Sequence, residues 1–187
     1  MTNEDLREKK LDSTEIYRGK ILDLFCDDVL LPNGETAKRE YIKHIGASCV
    51  VPLTKEGEVL LVKQYRYPFS SVLCEIPAGK LDSADEDPME AAKRELWEET
   101  GANCDSLVYL GPYYPTCAYS TEVIHMYLAT DVEPGRQHLD ADEFVVCDTI
   151  PLDTLVSQIM RGEIQDGKTQ LAILKAYLYL KSQEALK

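Results

Sequence analysis

Gly79-Lys-Leu-Asp-Ser-Ala-Asp-Glu-Asp-Pro-Met-Glu-Ala-Ala-Lys-Arg-Glu-Leu-Trp-Glu-Glu-Thr-Gly-Ala102 reads as a glycine-entered loop running into a capped helix. Asp87 can accept a hydrogen bond from an amide of the first turn, and Pro88 fits the first helical position, where no amide bond is lost. Gly101 can end the helix in a left-handed cap. At about 100° per residue, Glu95, Glu98 and Glu99 fall within an arc of roughly 100°, with Met89, Leu96 and Thr100 on the neighbouring face. Like charges this close repel by a few tenths of a kcal/mol per exposed pair, so they are either solvated or matched by a cation. Carboxylate oxygens are hard ligands and suit Mg²⁺ or Mn²⁺. Glutamates on a helix are most often a solvated face, and spacing alone leaves both readings open.

Outward from this helix the pattern changes period. From Thr14 to about Arg66 it is strand-like. Ile21 to Leu31 and Glu35 to His44 flank Pro32-Asn33-Gly34, a turn that favours a hairpin. Lys55-Glu56-Gly57 separates Cys49 to Leu53 from Val59 to Gln64. After the helix, strands are expected at Ser106 to Tyr114, Glu122 to Thr130 and Phe144 to Thr149, then helices at Leu152 to Arg161 and Lys168 to about Ser182. Strands on both sides of a central helix predict an α/β (α+β) fold, a mixed sandwich.

The chain has 187 residues, 20 Lys+Arg against 33 Asp+Glu, and a formal net charge of −13. That length supports a core without disulfide or metal staples. The negative field argues against a nucleic-acid backbone or an anionic membrane as partner. Cys26, Cys49, Cys74, Cys104, Cys117 and Cys147 form no CxxC pair and no zinc-type cluster, so most are expected to be reduced and buried. The N-terminal ten residues contain no apolar signal region, and no run of about 18 apolar residues exists to span a bilayer, which points to the cytoplasm.

The quoted stretch resembles the Nudix hydrolase signature, G-x5-E-x7-R-E-U-x-E-E-x-G-U with U aliphatic. Arg94-Glu95-Leu96-Trp97-Glu98-Glu99-Thr100-Gly101-Ala102 matches its second half, and Glu86 stands at the required distance before Arg94. Six residues rather than five separate Gly79 from Glu86, which is read as a one-residue loop insertion, with Asp85 in the glutamate's place as the alternative. The resemblance extends to the ADP-ribose pyrophosphatase branch through Gly19-Lys-Ile-Leu-Asp-Leu24, Leu31-Pro-Asn-Gly34, Lys38-Arg-Glu-Tyr-Ile-Lys43, Val62-Lys-Gln-Tyr-Arg66, Glu75-Ile-Pro-Ala-Gly79, Thr121-Glu-Val-Ile-His-Met-Tyr-Leu-Ala129 and Asp140-Ala-Asp-Glu-Phe-Val145.

The resemblance implies a Nudix-type α/β/α sandwich of mixed sheets over residues 46–187. Residues 1–45 would form an antiparallel β-sheet subdomain swapped onto the partner of a homodimer. It implies Mg²⁺ or Mn²⁺ held by Glu95 and Glu99, with Glu98 assisting and the carbonyl of Ala78 completing the shell. Arg94 would orient the glutamates, a guanidinium being able to fork onto carboxylates. Arg66 would contact substrate phosphates, while Arg39 and Tyr41 would reach the dimer-related site. Glu75 would support the site or bind adenine. The general base would come from the acidic segment Asp140-Ala-Asp-Glu143, with Glu143 preferred over Asp142. A solvated loop, a surface cation at Arg66 and plain sheet packing for Tyr41 are the corresponding bland readings.

The implied reaction is hydrolysis of the pyrophosphate bond of ADP-ribose or a related ADP-sugar, giving AMP and a sugar phosphate, with a small nucleoside diphosphate sugar as the small-molecule partner. The branch usually carries a proline about 16 residues after the signature's last glycine. Here Cys117 occupies that place, with Pro115 two residues early and Tyr119 close by. That loop keeps open another nucleoside diphosphate derivative, such as a diadenosine polyphosphate or NADH. A non-catalytic ADP-ribose-sensing module is the third reading.

Overall fold

The computed structural model describes residues 2–141 and 143–185. They fall into two compact units. One joins the chain up to Ile45 with Tyr114–Val123; the other comprises Gly46–Tyr113 and the chain from Ile124 onward.

In the first unit β1 (Lys9–Arg18), β2 (Asp23–Leu30) and β3 (Thr36–Lys43) form an antiparallel sheet in that order. The β2–β3 hairpin closes where expected. The amide of Leu31 donates to the Glu35 carbonyl at 2.8 Å, Asn33 Oδ1 accepts from the Glu35 amide at 3.1 Å, and Gly34 takes φ 87°. β1 starts at Lys9, ahead of the strand-like composition: Lys9-Lys-Leu-Asp12 has no clean alternation and is held as strand by pairing with β2. Every residue of β1 is exposed, including Leu11, Ile16 and Tyr17. The 114–123 segment joins this unit through a parallel bridge of Ser120 to Ile42.

The second unit is a seven-stranded mixed sheet built from β4 (Ala47–Leu53), β5 (Glu58–Arg66), β6 (Ser71–Glu75), β7 (Ala78–Lys80), β8 (Val108–Tyr113), β9 (Ile124–Thr130) and β10 (Val145–Pro151). Its helices are α1 (Pro88–Thr100), α2 (Leu152–Met160) and α3 (Gly167–Glu184). The strand order is β10-β5-β4-β9-β8, with β6 paired to β5 and β7 to β4. Among these strands only β4 and β9 run parallel, and such a pair needs a long crossover, supplied by the chain that contains α1.

Period-2 alternation makes the sandwich. Cys49, Val51, Val59, Leu61, Met126 and Leu128 face one way, packed with Leu155, Ile159, Ile173 and Ala176 of α2 and α3. Val50, Leu60, Tyr127 and Ala129 face the other way, packed with Ala92 and Leu96 of α1. Each fully buried Leu or Ile contributes about 1.5–3 kcal/mol, so the sheet holds a helical layer on each face as expected. Two short strands, β6 and β7, go beyond the expected elements; Pro77 interrupts their run, and they exist as strands through pairing with β5 and β4. All six cysteines are free, but only Cys49 is buried; four are half-buried and Cys117 is exposed, which corrects the expectation that most lie in the core. Among the described residues no helix is long and apolar enough to cross a membrane.

Candidate active site

α1 is fixed at both ends. Asp87 Oδ1 accepts from the Met89 amide at 2.9 Å, Pro88 occupies the first turn, and Gly101 takes φ 68° while its amide donates to the Trp97 carbonyl. Ser48 Oγ of β4 donates to the Pro88 carbonyl at 2.6 Å. With Ala91, Ala92 and Leu96 seated on the sheet, helical spacing carries Glu95 and Glu99 inward, and both are buried. β7 passes directly beneath them. A Cβ on Gly79 would lie 2.0 Å from Glu95 Oε1, so only glycine leaves that carboxylate its place. The Ala78 amide donates to Glu99 Oε2 at 3.1 Å.

Burial pushes the Glu95 carboxyl up to about 7; Arg94 opposes the shift, while the charges of Glu98 and Glu143 add to it. Burial likewise pushes Glu99 up to about 8, against the Ala78 amide and with help from Glu95 and Glu143. Two carboxylates whose ionised forms burial disfavours make a hard-oxygen donor set suited to a divalent cation. Among the described residues no three Asp, Glu, His or Cys side chains form a closed ligating cluster. A Mg²⁺ ion needs no such cage, since it is commonly bound by one or two carboxylates together with waters and substrate phosphates.

Arg94 ties the acidic residues together. Nη1 donates to Glu95 Oε1 at 2.7 Å and to Glu98 Oε2 at 3.2 Å, Nη2 to the Lys80 carbonyl at 3.1 Å, and Nε to Glu86 Oε1 at 3.4 Å. Glu86 Oε2 also accepts from the Asp82 amide at 2.5 Å. Glu86 is therefore the glutamate of this loop that meets Arg94, while Asp85 is exposed.

A second charged group lies at the start of α3. Glu75, only 2% exposed, accepts from Arg66 Nε at 2.6 Å and from Arg66 Nη2 at 2.7 Å. Lys168 Nζ donates to Glu75 Oε2 and lies 3.1 Å from Asp166 Oδ2. Asp166 caps α3 through the Thr169 amide at 2.8 Å, and Thr169 Oγ1 accepts from the Ile76 amide at 2.9 Å. Burial alone would raise the Glu75 carboxyl, but the hydrogen bonds and charges of Arg66 and Lys168 hold it below the ordinary value.

The chain between β9 and β10 caps the other end of α1. The Gly135 amide donates to the Thr100 carbonyl at 2.9 Å, Gln137 Nε2 to the Glu99 carbonyl at 2.7 Å, and the His138 amide to the Glu98 carbonyl at 2.7 Å. The His138 ring stacks on Trp97 at 3.9 Å between centroids. Helix-end carbonyls that would otherwise need water are thus satisfied. Farther along, the Glu143 amide donates to the Asp140 carbonyl at 3.0 Å.

Residues 42–170 match the NUDIX domain, and residues 8–42 match the nucleoside diphosphate sugar hydrolase N-terminal domain. The chain belongs to the Nudix hydrolase family. It is 39% identical over 183 residues to an ADP-ribose pyrophosphatase of Bacillus subtilis (strain 168), covering 97% of this chain and 96% of that protein. It is 40% identical over 182 residues to a methanol dehydrogenase activator of Bacillus methanolicus, covering 96% of each. A crystal structure of an ADP compounds hydrolase superposes with a TM-score of 0.83 at 21% identity, covering 95% of this chain and 97% of that one, so the fold is shared.

On this Nudix frame, the second unit brings together Ala78, Arg94, Glu95, Glu98 and Glu99, and separately joins Arg66 to Glu75. Arg39 and Tyr41 have partners within the first unit: Arg39 forks onto Glu8 at 2.9 and 2.5 Å, and Tyr41 stacks on Phe25 across β2 and β3. Asp142 lies outside the described residues. Sequence reading missed Lys168, Asp166, Gln137 and His138. An Asp three residues before a Thr at a helix start is a visible signal for the first pair; nothing in the sequence marks the second.

Proposed function

We propose that this protein hydrolyses the pyrophosphate bond of ADP-ribose or a related ADP-sugar in a reaction dependent on Mg²⁺ or Mn²⁺, releasing AMP and a sugar phosphate. The observation that carries this reading is the pair of buried carboxylates, Glu95 and Glu99, against the Ala78-Gly79 backbone. The names of the Bacillus subtilis relative and of the matched N-terminal domain support the substrate class.

Glu95 and Glu99 would hold the cation, with Glu98 and the Ala78 carbonyl as further ligands, and Arg94 fixes the two carboxylates it bonds. When bound, the cation supplies charge to the phosphoryl oxygens and lowers the pKa of a bound water. Glu143 takes the proton of the attacking water, Asp142 being the alternative base. The water oxygen joins one phosphorus, the P–O bond to the bridging oxygen breaks, and the second phosphate departs with that oxygen. Arg66 meets the phosphates of the substrate, oriented by Glu75.

The active species in this reading is a cytoplasmic homodimer in which Arg39 and Tyr41 serve the partner's site. The fully exposed β1, with Leu11, Ile16 and Tyr17 uncovered, supports a protein partner for that sheet. Sedimentation at micromolar concentration tests it, since a 21.1 kDa species would remove the shared site.

Product analysis with Mg²⁺ and a panel of ADP-ribose, ADP-glucose, diadenosine polyphosphates and NADH tests the function, with Glu99→Gln as blank. Fastest formation of AMP and ribose 5-phosphate from ADP-ribose is the expected result. The altered Pro115 to Tyr119 loop favours a second reading, hydrolysis of another nucleoside diphosphate derivative, and preference for a dinucleotide would establish it. Binding of ADP-ribose without turnover would instead indicate a sensor.

A further inference from the structure

Glu75 is a single carboxylate held by two cations. Arg66 engages it through Nε and Nη2, leaving Nη1 as the other end of the fork, and 39% of the Arg66 side chain is exposed. Lys168 shares Oε2 from inside the unit and is only 11% exposed. Lys168 is itself fixed in place: Asp166 touches its ammonium and caps the helix, and the adjacent Thr169 is tied to the Ile76 amide beside Glu75. A buried carboxylate must keep a counter-charge. An anion that draws on Arg66 competes with Glu75 for that guanidinium, and Lys168 is the cation that stays.

We infer that Lys168 is a positioning residue for Arg66: it keeps Glu75 compensated and fixed, so that the arginine can present its free edge to a phosphate group without losing its anchor. The inference deepens the proposed function and rests on its placing of Arg66 at the phosphates. Lys168 itself does not touch the substrate. Removing it leaves Glu75 wholly dependent on Arg66, which is then less available to an incoming anion.

The test uses Lys168→Met, Lys168→Arg, Glu75→Gln and the Glu75→Gln/Lys168→Met double variant, each checked for folding by circular dichroism. Lys168→Met is expected to raise KM for ADP-ribose about tenfold with kcat within about twofold, the pattern of lost ground-state binding. Lys168→Arg should recover most of the loss. In the Glu75→Gln background, Lys168→Met should cause no further increase, because its effect runs through Glu75. An unchanged KM in folded Lys168→Met overturns the inference, and so do effects that multiply in the double variant, since they would place Lys168 on the substrate. If Lys168→Met does not fold, Lys168→Gln takes its place in the same comparison.

Should the wild type not turn over ADP-ribose, the proposed function fails on its own. The same variants are then compared for binding of inorganic pyrophosphate by calorimetry without divalent cation. Weaker binding in Lys168→Met, with no additional loss when Glu75 is already Gln, sustains the inference; equal binding in wild type and Lys168→Met removes it.

Discussion

A methyl group on Gly79 would stand 2.0 Å from Glu95 Oε1 and 2.2 Å from its Cδ, so the β7 backbone and the Glu95 carboxylate occupy adjoining space that no other residue allows. The atoms met are the far end of a flexible side chain, so Gly79→Ala can be accommodated by moving that carboxylate rather than the sheet. The variant is therefore expected to fold, with a Tm within about 4 °C of wild type, a change on the scale of 1 kcal/mol. Its kcat/KM should fall by about a hundredfold, the usual penalty for misplacing a catalytic group by an ångström. Full activity in a steady-state assay would show that the position of Glu95 is dispensable.

Divalent cation should stabilise the folded chain through the same carboxylates. At a hundred times its Kd, an ion bound only by the native state adds about 2.7 kcal/mol, which raises the Tm of a chain this size by roughly 5–10 °C. Thermal scans with and without Mg²⁺ or Mn²⁺ should show that rise in wild type and little or none in Glu99→Gln. An equal rise in both would place the ion elsewhere.

Gly101 is tied to a backbone neighbour rather than a side chain. Its φ is 68°, and a Cβ there would lie 2.3 Å from the Gly135 carbonyl carbon and 2.4 Å from the Arg136 nitrogen. Neither atom can swing away, so Gly101→Ala combines left-handed strain with a backbone clash. A loss of about 2–4 kcal/mol is expected in urea unfolding. It should come with weakened docking of the 135–138 segment, which carries three hydrogen bonds to the last turn of α1.

Glu75 gives a pH dependence with a definite sign. Its carboxyl is held below the ordinary 4.5 in the folded state by Arg66 and Lys168, against the opposing effect of burial. Near that range the unfolded chain binds more protons, so stability rises with pH there. The contribution is fully present above about pH 4.5 and is lost as the pH falls through the lowered native value. Wild type should exceed Glu75→Gln by about 2–3 kcal/mol between pH 6 and 8, less than for a fully enclosed pair because Arg66 is partly solvated. The gap should shrink below about pH 4.5 in chemical denaturation. A gap that widens in acid would mean the carboxylate is not held ionised.

The α1 helix is legible in full from the residues that build it, because its signals are local: Asp87, Pro88 and Gly101 act on neighbouring amides and carbonyls. The hairpin at Pro32-Asn33-Gly34 is legible for the same reason, and so is the gathering of Glu95, Glu98 and Glu99 on one arc of the helix; that Glu95 and Glu99 turn inward is decided by the packing of α1 on the sheet. The resemblance names Arg94, Ala78, Arg66 and Glu75 as expected site residues, and the fold sets Arg94 and Ala78 against the buried carboxylates and Arg66 against Glu75. The short strands β6 and β7 are not legible, since strands of five and three residues around Pro77 are stabilised by partners elsewhere in the chain.

By itself, then, the sequence determined those features whose cause lies within one helical turn or one hairpin: the capped acidic helix, the glycine before it and the alternation that gives the sheet two apolar faces. Only the tertiary structure decided that β4 runs parallel to β9, that Gly79 lies against Glu95, that the 135–138 segment caps α1, and that Lys168 shares Glu75 with Arg66 across 93 and 9 residues of chain respectively. Those pairings follow from packing the two faces of the central sheet and compensating its buried charges, conditions that the whole folded unit must meet together and that no local stretch of sequence encodes.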